Sequence, residues 1–190
     1  MARSRSGRLF ESGRADGDRE TGGSLRWCGE FNWWFDPEAA QVVLRADVPK
    51  VIVPLDCTNT VPLTKATYLQ IVNHQPKTIV TELYKLTFAP FFGSAPPPYT
   101  PYIYDTLALA FLVNPKFATD TRTIWLDIDD LTPSTNTTFG ADYGKSMPYT
   151  SDPYPSIGLL TPSTVVFAVD TDAFLKFYVN LLTLPVPVDF

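Results

Sequence analysis

After residue 28, the apolar residues along most of the chain follow one of two patterns, one typical of helices and the other typical of strands. The C-terminal segment repeats its apolar residues at i, i+3, i+4, i+7 and i+8, which predicts a helix with one buried stripe. The members of that stripe are Phe174, Phe177, Tyr178, Leu181 and Leu182. Strand patterns cover 50–55, 123–128 and 164–169. Strands that alternate with helices indicate an α/β fold with a mainly parallel sheet flanked by helices.

Further helices are predicted between these strands. The first begins at Asp36-Pro37-Glu38, where Asp is a good N-cap, Pro suits the first helical position and Glu complements the helix dipole. Its apolar face would be Ala39, Ala40, Val42, Val43 and Leu44. The other helices are predicted over 63–72, 78–88, 105–113 and 170–182. Prolines and glycines predict loops over 91–101 and 129–162, with a short hairpin around Gly140 and Gly144 as an alternative within the second loop.

The composition and charge of the chain limit the classes of function that the protein can have. The 190 residues are 45% hydrophobic and 18% charged, which is typical of a globular domain or part of one. A net charge of -5 gives no reason to expect a nucleic-acid partner, and no apolar run reaches the length of about 20 residues that a membrane span needs. Two cysteines and one histidine disfavour a disulfide framework, a thiolate metal site and a two-histidine metal motif.

Residues 1–28 differ from the rest. The segment is rich in arginine, contains few large apolar residues and lacks the apolar core of a signal peptide. We interpret it as a disordered or loosely attached segment, with 29–190 as the folded part. Without a signal peptide, the default expectation is the cytoplasm.

Three ordered motifs carry a family resemblance. They are EFNWWFDPEAAQVVLRA at 30–46, VIVPLDCTNTVPLT at 51–64 and PYIYDTLALAFLVNP at 101–115. The three together resemble the C-terminal half of the inosine/uridine-preferring nucleoside hydrolases. The resemblance implies an α/β fold that lacks the family's N-terminal strands, and hydrolysis of the N-glycosidic bond of ribonucleosides.

The same resemblance implies roles for individual residues. Glu30 and Asn32 would hydrogen-bond ribose hydroxyls, and Trp33 and its aromatic neighbours would partly line the pocket and partly pack against the sheet. Asp105 would be a ligand of a calcium ion, which takes oxygen ligands. Tyr104 stands where many members have a histidine that acts as an acid toward the leaving base. Tyr104 either lines the pocket or only packs, because a phenol with a pKa near ~10 donates its proton poorly at neutral pH.

The chain departs from the family pattern in its first part. The family's aspartate cluster, which supplies most calcium ligands and the water-activating base, has no equivalent here. Asp16 and Asp18 follow no apolar strand, so we interpret them as a solvated charged segment. Ser24 replaces the family's asparagine six residues before Glu30. We therefore expect an incomplete calcium site, and a start of the chain that lies outside the family sequence.

Each candidate residue also has a purely structural interpretation. Glu30 and Asn32 would simply cap the following turn, and Asp105 would be an ordinary helix-start acid. Asp127, Asp129 and Asp130 are expected to face solvent. Asp170 and Asp172 are expected at a helix start.

Two function hypotheses follow. One is a calcium-dependent ribonucleoside hydrolase, impaired in this chain. The alternative is a non-catalytic fragment or ribose-binding module. In both, the missing strands would expose an apolar edge of the sheet, from which we expect poor solubility or self-association as a homo-oligomer.

Overall fold

The computed structural model describes residues 30–93, 101–130 and 143–185. The helices are α1 (Phe31–Phe35), α2 (Pro37–Arg45), α3 (Leu55–Thr58), α4 (Lys65–Val72), α5 (Ile79–Phe92), α6 (Asp105–Val113) and α7 (Thr171–Thr183). The strands are β1 (Val51–Ile52), β2 (Ala118–Ile128), β3 (Ser146–Tyr149) and β4 (Pro162–Val169), and a 3₁₀ helix spans Pro115–Phe117. No helix in this described part is long and apolar enough to cross a membrane.

The four strands form one mixed sheet in the order β1-β4-β2-β3. β1 and β4 are parallel, with Val51 opposite Thr164, and β2 and β3 are antiparallel. The sheet and its flanking helices confirm the predicted α/β class. The antiparallel strand β3 lies inside the segment predicted as loop, for which a short hairpin around Gly140 and Gly144 was the alternative. β3 begins two residues after Gly144 and pairs with β2, whereas Gly140 lies outside the described residues.

The chain divides into two compact units. The first comprises the described residues up to Asp56 and those between Thr121 and Val166, and the second comprises the described residues between Cys57 and Asp120 and those from Phe167 onward. In the first unit, α2 lies beside the carboxyl end of β2. In the second unit, α4, α5 and α7 pack on one another around the buried rings of Phe174 and Tyr178.

Helix starts agree closely with the sequence. Asp36 caps α2, Thr64 caps α4, and Thr78 caps α5 through a reciprocal capping box. Asp170 caps α7, as predicted, with its carboxylate accepting from the N–H of Ala173. These caps satisfy backbone donors that the first turn of a helix leaves without a partner.

Three predictions of burial are wrong. The run at 50–55 forms only a two-residue edge strand, because Pro49 and Pro54 on either side have no N–H for a ladder. In α2 the buried residues are Pro37, Gln41 and Leu44, and the predicted Val42 and Val43 are exposed. In α7, Leu181 is half exposed because burial follows positions 174 and 178, one helical turn apart.

Candidate functional site

The predicted ribose-binding motif lies in a short helix, α1, that the sequence pattern did not predict. Glu30 is its N-cap, and its Oε2 accepts hydrogen bonds from the backbone N–H of Asn32 (3.0 Å) and Trp33 (3.1 Å). Its other oxygen, Oε1, accepts from Nδ2 of Asn32 at 3.1 Å. The capping interpretation of Glu30 is therefore confirmed. The spacing of an acid before a five-residue aromatic segment was the signal available in the sequence.

An open cavity of about 310 Å³ lies beside α1, between α2 and β1. Its walls include Asn32 and Trp33 of α1, Asp36, Ala39 and Val43 of α2, and Ile52 of β1. The surface of the cavity is mostly apolar, and its polar lining residues are Asn32 and Asp36. Phe31 and Phe35 contact each other at a ring distance of 6.0 Å and are largely exposed.

α2, which carries most of the cavity wall, is fixed to the end of β2 by polar contacts. Gln41 Nε2 donates to the carbonyl oxygen of Ile128 at 2.7 Å. Arg45 Nη2 donates to both carboxylate oxygens of Asp127, at 3.1 and 3.2 Å. Asp127 is buried, so its predicted exposure is wrong. The alternation placed Asp127 correctly on the face opposite Leu126, but α2 covers that face as well.

The turn before β3 packs closely against α1. Gly144 has a φ of +76°, and a Cβ there would lie 2.4 Å from the Cα of Trp34. Only glycine allows this approach together with this backbone conformation. Tyr143 is buried next to it, and its hydroxyl donates to Oε2 of Glu38 at 3.4 Å. Burial, and then the negative charge of Glu38, raise the pKa of Tyr143.

The predicted metal ligand Asp105 and the candidate residue Tyr104, which stands where many family members have a histidine, belong to the second unit. Asp105 is exposed in the first turn of α6, and Tyr104 is the N-cap residue without a side-chain cap. The Tyr104 ring is 43% exposed and lies 5.7 Å from the ring of Tyr102. Burial and the neighbouring Tyr102 raise the pKa of Tyr104 above its ordinary value, which makes it a weaker acid at neutral pH.

The described residues do not by themselves fit a calcium ion. Across 30–93, 101–130 and 143–185, no group of three or more histidines, cysteines, aspartates or glutamates could hold a metal. Calcium usually takes six to eight oxygens, and the carboxylate of Asp105 supplies at most two.

Comparison with known proteins places this arrangement in a family. The chain is 26% identical over 157 residues to the pyrimidine-specific ribonucleoside hydrolase RihB of Shigella flexneri serotype 5b (strain 8401), covering 80% of this chain and 45% of the relative. It is also 26% identical over 166 residues to the pyrimidine-specific ribonucleoside hydrolase RihA of Shewanella sp. (strain MR-7), covering 84% and 48%. The chain thus spans about half the length of the curated relatives it matches.

Solved structures give the same fold. Inosine-guanosine nucleoside hydrolase matches with a TM-score of 0.68 at 20% identity, over 86% of this chain and 49% of that one. The inosine-uridine preferring nucleoside hydrolase from Bacillus anthracis matches with a TM-score of 0.62 at 24% identity, over 92% and 49%. The family model for inosine-uridine preferring nucleoside hydrolases matches residues 13–176, a range that begins upstream of Gly29, where the motif resemblance starts. This chain therefore belongs to the inosine-uridine preferring nucleoside hydrolase family.

Proposed function

We propose that this chain carries a ribose-binding part of a ribonucleoside hydrolase, and that the protein hydrolyses the N-glycosidic bond between ribose and a nucleobase. One observation supports the proposal most directly: Asn32 and Trp33 line an open cavity of about 310 Å³ within the range that the family model matches. The volume lies at the small end of the range for ligand pockets.

The Glu30–Asn32 pair has the chemistry to hold a sugar. Ribose hydroxyls donate and accept hydrogen bonds, and a carboxylate beside an amide offers both acceptors and donors. The bond between Oε1 of Glu30 and Nδ2 of Asn32 fixes the two groups relative to each other before a ligand arrives. Such preorganisation lowers the entropy that binding costs. In this proposal Trp33 supplies the apolar wall for a face of the ribose.

The role of Asp105 is proposed on the motif PYIYDTLALA and not on a cluster of ligands. Asp105 would give one carboxylate to a calcium ion, and residues outside the described ranges or water would have to supply the other oxygens. Tyr104 would be a wall of the site. Its raised pKa argues against the role of general acid that a histidine takes at this position in many family members.

The proposed substrate class is ribonucleosides, without preference for one base. The names of the relatives include pyrimidine-specific enzymes and an inosine-guanosine enzyme, so the family contains specificities for both kinds of base. The proposal accordingly treats uridine and inosine as equal candidates.

A hydrolysis assay tests the enzyme proposal. The purified chain is incubated with uridine or inosine in millimolar calcium, and release of the free base is followed by chromatography. Asp105→Ala should abolish release, whereas Asp172→Ala, an exposed acid in the first turn of α7, should leave it unchanged. Equal turnover by wild type and Asp105→Ala would refute the role of Asp105.

A second candidate, a ribose-binding module without hydrolysis, is favoured by the missing cluster of carboxylates in the described residues. It predicts that calorimetry detects nucleoside binding while no base is released. Asn32→Ala should then weaken binding about five- to thirtyfold, because a lost polar contact to a sugar costs about 1–2 kcal/mol. Asn73→Ala, at the exposed end of α4, is the matched control. An Asn32→Ala variant with unchanged affinity would remove the ribose assignment under both candidates.

Self-association forms the last part of the proposal. The first unit exposes apolar side chains next to an edge strand, and such surfaces are typical of interaction sites.

A further inference from the structure

We propose that the ion pair between Arg45 and Asp127 positions the ribose-binding motif, so that Arg45 is a positioning residue for nucleoside binding. This inference rests on the proposed function, since it concerns how Asn32 and Trp33 are held at the wall of the cavity. Three observations carry it: the short connection between α1 and α2, the bonds that fix α2 to the end of β2, and the burial of the ion pair.

α1 is joined to α2 through a single residue. Asp36 is both the C-cap of α1 and the N-cap of α2. Its Oδ1 accepts from the N–H of Ala39 at 2.9 Å, and its carbonyl oxygen accepts from the N–H of Ala40 at 3.1 Å. Pro37 comes next and is buried, and its ring fixes the backbone φ at the first helical position. Because the connection is so short and so restricted, α1 and its Asn32 follow any movement of α2.

α2 is fixed to the end of β2 at two positions one helical turn apart. Gln41 bonds to the carbonyl oxygen of Ile128, and Arg45 bonds to both carboxylate oxygens of Asp127. Four residues correspond to about 6 Å along a helix axis, so the two contacts together resist both tilting and rotation of α2. The carboxylate of Asp127 has a fixed direction, because its Oδ1 also accepts from the backbone N–H of Ile128 at 3.0 Å.

The residue after this strand supports α1 directly. The carbonyl oxygen of Asp129 accepts from the N–H of Gly144 at 2.7 Å, and the N–H of Asp129 donates to the carbonyl of Lys145 at 2.9 Å. Gly144 lies against the backbone of Trp34 in α1. Three consecutive residues, 127–129, thus fix α2 twice and α1 once. The carboxyl end of β2 is therefore a common support for the whole ribose-binding motif.

A small rotation of α2 would be enough to misplace the motif. A helix with its side chains is about 10–12 Å across, so a rotation of about 20° moves an outer side-chain atom by about 2 Å. Binding groups have to be held within about 0.5 Å of their productive positions. Loss of the contact at Arg45 should therefore weaken nucleoside binding even though Asn32 and Trp33 themselves are unchanged.

The burial of the ion pair favours a role in orientation over a role in stability. Asp127 is only 4% exposed, so its carboxylate has lost most of its contact with water in the folded chain. Replacement of a buried ion pair by apolar side chains of similar volume often leaves stability unchanged or raises it. Hydrogen bonds depend on direction, whereas the hydrophobic effect does not. The ion pair therefore predicts a loss of binding that persists when stability is restored.

The first experiment compares Arg45→Met with the double variant Arg45→Met/Asp127→Val. Nucleoside affinity is measured as the Kd from calorimetry with uridine and inosine, or as KM where base is released, in which case kcat should stay within twofold. Arg45→Met should lower the urea midpoint and weaken affinity at least tenfold, because it leaves a carboxylate buried without its partner. The double variant should regain the wild-type midpoint, with affinity still at least fivefold weaker. If it regains wild-type affinity as well, the ion pair is only structural and the proposal is overturned.

Val166→Ala is the control for lost stability without a change at Arg45. Val166 lies in β4 and is 1% exposed, so shortening its side chain should lower the urea midpoint. Its affinity for nucleosides should stay at the wild-type value. An equal loss of affinity in Val166→Ala would mean that any loosening of the first unit weakens binding, and it would overturn the specific role of Arg45.

A measurement without ligand separates this inference from the proposed function. In NMR spectra of the double variant, the N–H resonances of Asn32 and Trp33 should shift, because α1 changes its place relative to neighbouring rings. The N–H resonance of Thr164, which is bonded to the Lys50 carbonyl, should stay in place. Unchanged resonances in α1 overturn the positioning role. A wild-type protein that binds no nucleoside overturns the proposed function, and a shift of these resonances then still supports the coupling of Arg45 to α1.

Discussion

Replacement of Gly144 by alanine should destabilise the first unit more than any other glycine substitution among its described residues. The added Cβ would lie 2.4 Å from the Cα of Trp34, 2.9 Å from its Cβ and 3.0 Å from its backbone nitrogen. Two of these three atoms are backbone, so no rotation of a side chain relieves the overlap. The turn cannot easily move away either, since the Gly144 N–H donates to the carbonyl of Asp129 at 2.7 Å.

The magnitude follows from two contributions. A φ of +76° costs a residue with a Cβ about 1–2 kcal/mol, and forced overpacking adds about 1–3 kcal/mol. Gly144→Ala should therefore lose about 2–5 kcal/mol of unfolding free energy, a large part of the 5–15 kcal/mol that is typical of a domain.

Gly158 is the matched control for the backbone contribution. It has a φ of +56°, and a Cβ built there meets nothing within 4 Å. Gly158→Ala should accordingly lose only about 1–2 kcal/mol. Urea unfolding followed by tryptophan fluorescence suits both variants, because Trp33 and Trp34 lie in α1 beside the affected turn. If the two substitutions cost the same, the close approach of the turn to Trp34 does not exist in solution.

Three further perturbations address the polar contacts of the core. Asp127→Ala removes the buried partner of Arg45 and should lower the free energy of unfolding in urea by about 2–3 kcal/mol. The control Asp172→Ala, at an exposed position, should lower it by less than about 0.5 kcal/mol. Equal losses would contradict the ion pair. Lys50→Met removes the ammonium that donates to the Ala46 carbonyl at 2.7 Å and to Thr161 Oγ1 at 2.5 Å. The free energy of unfolding should fall by about 1–3 kcal/mol, whereas the control Lys65→Met, at an exposed position, should leave it almost unchanged. Burial raises the pKa of both Tyr84 and Tyr178, so the unfolded state ionises first and stability should fall as the pH rises above about 10. Tyr84→Phe should make that fall shallower, and an unchanged slope of the urea midpoint against pH would refute the assignment.

Local sequence signals predicted the helices well and the buried faces less well. Asp36, Thr64, Thr78 and Asp170 each precede a helix that the structure contains, because a cap is a contact within four residues. The exposure of Val42 and Val43 could not be predicted in the same way. The orientation of α2 is set by the bonds of Gln41 and Arg45 to the distant β2, and no local pattern encodes those contacts.

In the candidate site, too, local motifs could be predicted from the sequence and contacts between distant residues could not. The Glu30–Asn32 motif could be recognised from its letters, and so could the Asp105 motif, because both are short and contiguous. The cavity beside α1 could not be predicted, since its walls come from three elements that only the folded chain brings together. The need for glycine at position 144 could not be predicted from the sequence either. It arises because the backbone of Trp34, more than a hundred residues earlier, comes close to Gly144 only in the folded chain.

The sequence alone determined the α/β class, the family and the starts of the helices other than α1 and α3. Periodicity, caps and motifs depend on neighbours within a few residues, and those neighbours are written in the sequence itself. Tertiary structure alone decided that Asp127 is buried against Arg45 and that Gln41 of α2 is bonded to the end of β2. Those outcomes depend on which distant backbone or side chain comes within about 3 Å, a distance that only packing fixes.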